Sequence, residues 1–134
     1  MAAIPFSIKH LYAGLAEAEG LTYLEHETLV LEYCVKDFTK SLSSSVKEVR
    51  LDLREVETVQ LHESLWRRPR LCVRMQSLAA LRRLPHTQGE VALCIPRAAK
   101  NQARRLANRL TLLLSEYKLE WLEHEHRRLE REAG

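Results

Sequence analysis

The sequence has no run approaching the roughly 18 apolar residues that a membrane-spanning helix requires. Its three cysteines, Cys34, Cys72 and Cys94, lie far apart. The count is odd and no Cys-x-x-Cys occurs, so neither a disulfide framework nor a zinc knuckle is indicated. The four glycines, at 14, 20, 89 and 134, never cluster, which removes a Gly-rich phosphate loop. There is no Gly-x-Ser-x-Gly and no local context that would activate a cysteine. With only four prolines as well, low-complexity and collagen-like structure are excluded. The start, Met1-Ala2-Ala3-Ile4-Pro5, has neither the basic region nor the apolar core of a signal peptide, so a cytoplasmic protein is expected.

What is present suits a single folded domain. The chain has 134 residues, 46% of them apolar and 29% charged, enough to bury a core without disulfides or metal. The net charge of +3 is unevenly spread. Lys47 to Arg83 carries nine bases against five acids, and Arg97 to Arg109 carries five bases and no acid. The first 45 residues carry six acids against three bases, and Glu116 to Glu132 six against four. A basic middle between acidic ends attracts an anionic partner, its own ends, or the ends of a second copy.

Hydrophobic periodicity divides the chain in two. Ile8, Leu11, Tyr12 and Leu15 predict a short helix over 7–19, with Ser7 as N-cap and Gly20 as stop. Alternation then predicts strands at 21–24, 29–35, 47–53, 56–61, 71–75 and 91–95, with a weaker segment at 78–84. From about Ala98 the period becomes 3.6: Ala99, Ala103, Leu106, Leu110, Leu113 and Tyr117 form one apolar stripe. No glycine or proline interrupts it before Gly134. Val49, Leu51, Val73, Leu93, Leu106 and Leu110 are the expected core.

Seven strands closed by one amphipathic helix resemble the pleckstrin-homology-like superfold. The join Val91-Ala92-Leu93-Cys94-Ile95-Pro96-Arg97, followed by Ala99, Ala103, Leu106 and Leu110, carries the resemblance. Short bacterial members also resemble it at Val56 to Val59 and Arg70 to Met75. The resemblance implies an α+β fold, with about seven antiparallel strands in an orthogonal sandwich or open barrel and a long C-terminal capping helix. On this reading residues 1–20 are an N-terminal helical segment, 21–117 the domain and 118–134 a helical extension. Phosphoinositide-binding members place lysines and arginines around their first hairpin loop. Here that position reads Glu25-His26-Glu27, and two carboxylates there would repel a phosphorylated head group.

Six histidines raise the question of a metal. His124 and His126 stand two apart on the predicted helix and point in different directions, whereas zinc on a helix uses spacings of three or four. No catalytic residue, metal site or cofactor is therefore expected. Lys100, Arg104, Arg105 and Arg109 line a basic helix face suited to an anionic ligand or nucleic acid, and Trp66 beside Arg67-Arg68 is the aromatic best placed to stack on bases.

The extension carries a second stripe: Leu112, Leu119, Leu122, His126, Leu129 and Ala133. From Leu119 its steps are three, four, three and four, a heptad seam with Trp121 at its edge. Two surfaces are open to it, a second chain or the N-terminal helix of the same chain. The expectation is a non-catalytic interaction module that self-associates, or binds another protein, through Leu119, Trp121, Leu122, His126 and Leu129. Anion or nucleic-acid binding through Lys100, Arg104, Arg105 and Arg109 is the alternative.

Overall fold

A computed structural model describes residues 2–11, 16–37, 45–77, 79 and 89–133. Seven strands lead into one helix: β1 (Ile4–Leu11), β2 (Ala16–Glu25), β3 (Thr28–Asp37), β4 (Lys47–Asp52), β5 (Val56–His62), β6 (Arg70–Met75), β7 (Glu90–Cys94) and α1 (Lys100–Ala133). Single 3-10 turns, Leu53–Glu55 and Arg97–Ala99, precede β5 and α1. All strand pairs are antiparallel, in the order β4-β3-β2-β1-β7-β6-β5. The class is α+β, as expected.

The first twenty residues overturn the helix expected over 7–19. Residues 4–11 and 16–20 are strand, and they form the middle of the sheet rather than a separate segment. Ile4, Phe6 and Ile8 alternate with Pro5, Ser7 and Lys9, and all three apolar side chains are buried. That two-residue signal outweighs the helical spacing of Ile8, Leu11, Tyr12 and Leu15, since tertiary burial overrides a short local pattern. The register shifts between Ile8 and Leu11, and such an irregularity breaks a simple alternation in the sequence.

Gly20 is accordingly no helix stop. It sits inside β2, opposite Phe6 of β1 and Tyr33 of β3. A β-carbon there would fall 1.8 Å from the Glu32 carbonyl oxygen and 2.7 Å from the Tyr33 Cα. Glycine is required by this close approach of two backbones. The extra strand also moves the hairpins along by one. Glu25-His26-Glu27 belongs to the β2–β3 hairpin, not the first, so its carboxylates do not bear on the first loop. Residues 12–15, which connect β1 to β2, lie outside the described set. His26 takes a left-handed φ of 55° at the tip of that second hairpin. The weaker strand expected over 78–84 falls, except for residue 79, outside the described residues.

One core joins all these elements. Every strand sends side chains into a single cluster with Leu53, Ala99, Ala103, Leu106, Ala107, Leu110, Leu113 and Leu114. The expected core residues Val49, Leu51, Val73, Leu93, Leu106 and Leu110 are all buried. The helix packs against β5 and the 3-10 turn that precedes it. Replacing Gly20 with alanine should cost about 2 kcal/mol or more, because the β-carbon displaces backbone rather than a pliable side chain. Urea unfolding of Gly20→Ala checks this; an unchanged midpoint would refute the close approach.

Candidate interaction surfaces

α1 divides at Tyr117. Before it, leucines and alanines face the core. After it, every described side chain is exposed except Glu125, which is half-buried. At 1.5 Å per residue the stretch beyond Tyr117 runs for roughly 24 Å. The stripe expected from the sequence lies there: Leu119, Leu122 and Leu129 are each more than half exposed, as is Leu112 one heptad earlier. His126 is exposed too, its Nε2 2.9 Å from the Glu130 carboxylate one turn on. Arg128 and Glu125 form a second ion pair along the extension at 2.8 Å.

Trp121 is placed differently from the leucines. With Leu53, Arg54, Val56, Leu114 and Tyr117 it lines an open cleft of about 680 Å³ where the helix leaves the sheet. No periodic pattern marks this cleft, which lies between the helix and the turn at Leu53–Glu55. Within it the Arg54 guanidinium lies 5.9 Å from the centre of the Tyr117 ring. The Tyr117 hydroxyl is buried and makes no hydrogen bond. Burial pushes its pKa up to about 12, and the Glu27 carboxylate acts in the same direction, close enough to be felt but not placed to accept the proton.

The basic face of α1 is not one continuous free surface. Arg104 is committed to Glu63, at the end of β5, through Nε at 2.5 Å and Nη2 at 3.1 Å. That pairing holds the Glu63 carboxyl below its ordinary range. Lys100 is half-buried, while Arg105 and Arg109 are exposed. Trp66 is not on α1 but in the segment between β5 and β6, which Arg104 joins to the basic face through Glu63.

The cysteines gather no chemistry. Cys72 and Cys94 lie on neighbouring strands, where Cys94 pairs with Arg70 and Cys72 with Ala92. Cys34 is on β3, with β2 and β1 between it and β7. Burial raises the Cys72 thiol to about 11, the opposite of what a nucleophile needs. Among the described residues, no group of three or more His, Cys, Asp or Glu side chains is arranged to hold a metal, and no helix is long and apolar enough to cross a membrane.

Compared with protein-family models, curated proteins and solved structures, the chain finds no match.

The unpartnered Tyr117 hydroxyl yields a prediction of sign. Removing a buried polar atom that has no partner relieves its desolvation, so Tyr117→Phe should leave stability unchanged or raise it by up to about 1 kcal/mol. The folded phenol titrates above the unfolded value of 10. Ionisation therefore leaves stability untouched below pH 10 and favours the unfolded state progressively as the pH rises from 10 toward 12. Denaturant unfolding between pH 9 and about 12 should show a smaller alkaline loss in Tyr117→Phe than in the parent; an equal loss would count against the burial.

Proposed function

We propose that this protein is a non-catalytic interaction module of pleckstrin-homology-like fold, which self-associates through the part of α1 that extends past the sheet. The fold reading is supported by seven antiparallel strands followed by a helix that packs on their common core. The superfold serves many kinds of binding, so function has to come from the surfaces.

The single observation that carries self-association is the exposed row Leu119, Leu122 and Leu129 on a helix with no sheet beneath it. An isolated helix of this length is marginal in water and gains most of its stability from burying an apolar face. A partner within the same chain was one candidate, namely a helix over 7–19. Those residues are strands in the middle of the sheet, apart from 12–15, so that candidate is removed. A second copy brings an identical heptad row, and two such rows pack knobs into holes. His126 and Ala133 would occupy core positions of the pair on either side of Leu129, with Trp121 at the margin.

Sedimentation or light scattering should give a dimer mass for the parent. Leu122→Glu should give a monomer with unchanged circular dichroism in the strand region, because Leu122 is outside the core. A dimer that survives the substitution, or a parent that is monomeric at micromolar concentration, would sink the proposal.

The alternative anion-binding reading rests on Lys100, Arg104, Arg105 and Arg109. It is weakened by the ion pair that occupies Arg104, which leaves Arg105 and Arg109 as its exposed members outside any ion pair among the described residues.

A further inference from the structure

The most exposed large apolar side chains among the described residues are not on the helix. They are Leu65 and Trp66, at 87% and 88% exposure, adjacent in the segment 63–69 between β5 and β6. Their backbone is nevertheless tied down. The Trp66 amide donates to Ser64 Oγ at 3.2 Å. Arg97 Nη2 donates to the Leu65 carbonyl at 3.4 Å. The Ile95 amide donates to the Pro69 carbonyl at 2.8 Å. The segment is thus tied to the β7–α1 connection at Leu65 and Pro69 and braced internally by Ser64, while its two apolar side chains are exposed.

The surroundings are cationic. Arg67 and Arg68 follow directly, exposed and without an ion pair among the described residues. Arg97 reaches the Leu65 carbonyl, while Arg104 binds Glu63 and Lys100 adds to the field on it. Five cations thus stand around one acid, which Arg104 already engages. The charge extends well beyond the loop. From Ser64 to Ser115 the chain holds eleven Lys or Arg residues and a single acid, Glu90, and Glu90 lies 3.2 Å from Arg74.

We propose that the 63–69 loop is a docking site for an anionic lipid bilayer, in which Leu65 and Trp66 enter the interface and the surrounding arginines meet the head groups. Trp is favoured at the junction of polar and apolar phases, and an aliphatic neighbour gains only where an apolar phase is present. Basic side chains add attraction to an anionic leaflet within a Debye length of its surface. A single-stranded nucleic acid would use the Trp66 ring and the cations but offer nothing to Leu65, because an aliphatic side chain does not stack on bases. A neutral apolar protein patch would leave the cations unmatched. The proposal is independent of self-association, since the loop flanks the start of α1 and the exposed leucines lie toward its other end.

The test is co-sedimentation of the full chain with vesicles of phosphatidylcholine alone, and of phosphatidylcholine containing about one-third phosphatidylserine. Retention is expected on the anionic vesicles only, falling as salt rises. The double variants Leu65→Ser/Trp66→Ser and Arg67→Glu/Arg68→Glu should each lower the partition coefficient by about tenfold or more. Circular dichroism should be unchanged, because all four side chains are exposed. In a Trp121→Phe background, Trp66 fluorescence should shift to the blue on anionic vesicles. Leu65→Ala alone should weaken retention, and Leu122→Glu should keep the blue shift, which separates this outcome from the fate of the dimer. Absence of retention, or equal retention by both double variants, would overturn the proposal. So would binding of a single-stranded oligonucleotide that needs Trp66 but not Leu65, without vesicle binding.

Discussion

The structure depends on the burial of one helix stripe in a sheet that cannot close over its own apolar face. Seven strands present a surface far too apolar to leave in water, and a single helix covers it. Ala99, Ala103 and Ala107 recur every four residues and are buried, which lets the backbone of the helical segment come close to the sheet. Leu106, Leu110, Leu113 and Leu114 fill the space beside them. Each leucine buried in this way contributes about 1.5–3 kcal/mol relative to exposure.

That burial also fixes where the two candidate surfaces can be. Once Leu106 and Leu110 are seated, the beginning of α1 stands beside the end of β5, where Arg104 reaches Glu63 and Arg97 reaches Leu65. The later part passes the turn at Leu53–Glu55, opens the cleft over Tyr117 and continues alone. Tyr117 marks the boundary. Its ring still packs against the core, but its hydroxyl finds no partner there.

The change of period near Pro96 is legible in the sequence, and so is the part of the core built by Val49, Leu51, Val73, Leu93, Leu106 and Leu110, because alternation and helical spacing both report burial directly. Ile4, Phe6 and Ile8 were equally legible in principle. A two-residue period over a few positions competed with a helical spacing that continued to Leu15, and sequence alone offers no term for the neighbours β2 and β7 that decide it. Gly20 shows the same limit. A glycine after an apolar run resembles a helix stop, and only the backbone of β3, 1.8 Å from its missing β-carbon, reveals the other reason for it. The exposed leucines of the extension could be listed from the heptad spacing. Trp121 was placed at their edge, although its position over the cleft depends on a packing angle that no local pattern encodes. Trp66 was visible as an aromatic beside two arginines. Leu65 is not legible in this way, because one leucine in a polar loop carries no periodic signal.

The uneven charge, which sequence left open to three readings, is narrowed by the ion pairs. The extension's acids pair within the extension, Glu130 with His126 and Glu125 with Arg128. Of the N-terminal acids, Glu19 pairs with Lys36, and Glu25 pairs with Arg50 of the basic middle. Among the described residues, the one long-range ion pair made by α1 joins it to Glu63, beside the basic loop itself. Among the described residues, no ion pair links the acidic extension to the basic middle. The extension and the basic middle of one copy are therefore not joined by ion pairs, and the extension runs roughly 24 Å past Tyr117, away from the start of α1. Basic charge left unpaired within the molecule is available to something outside it, and at 63–69 it adjoins the two most exposed large apolar side chains among the described residues.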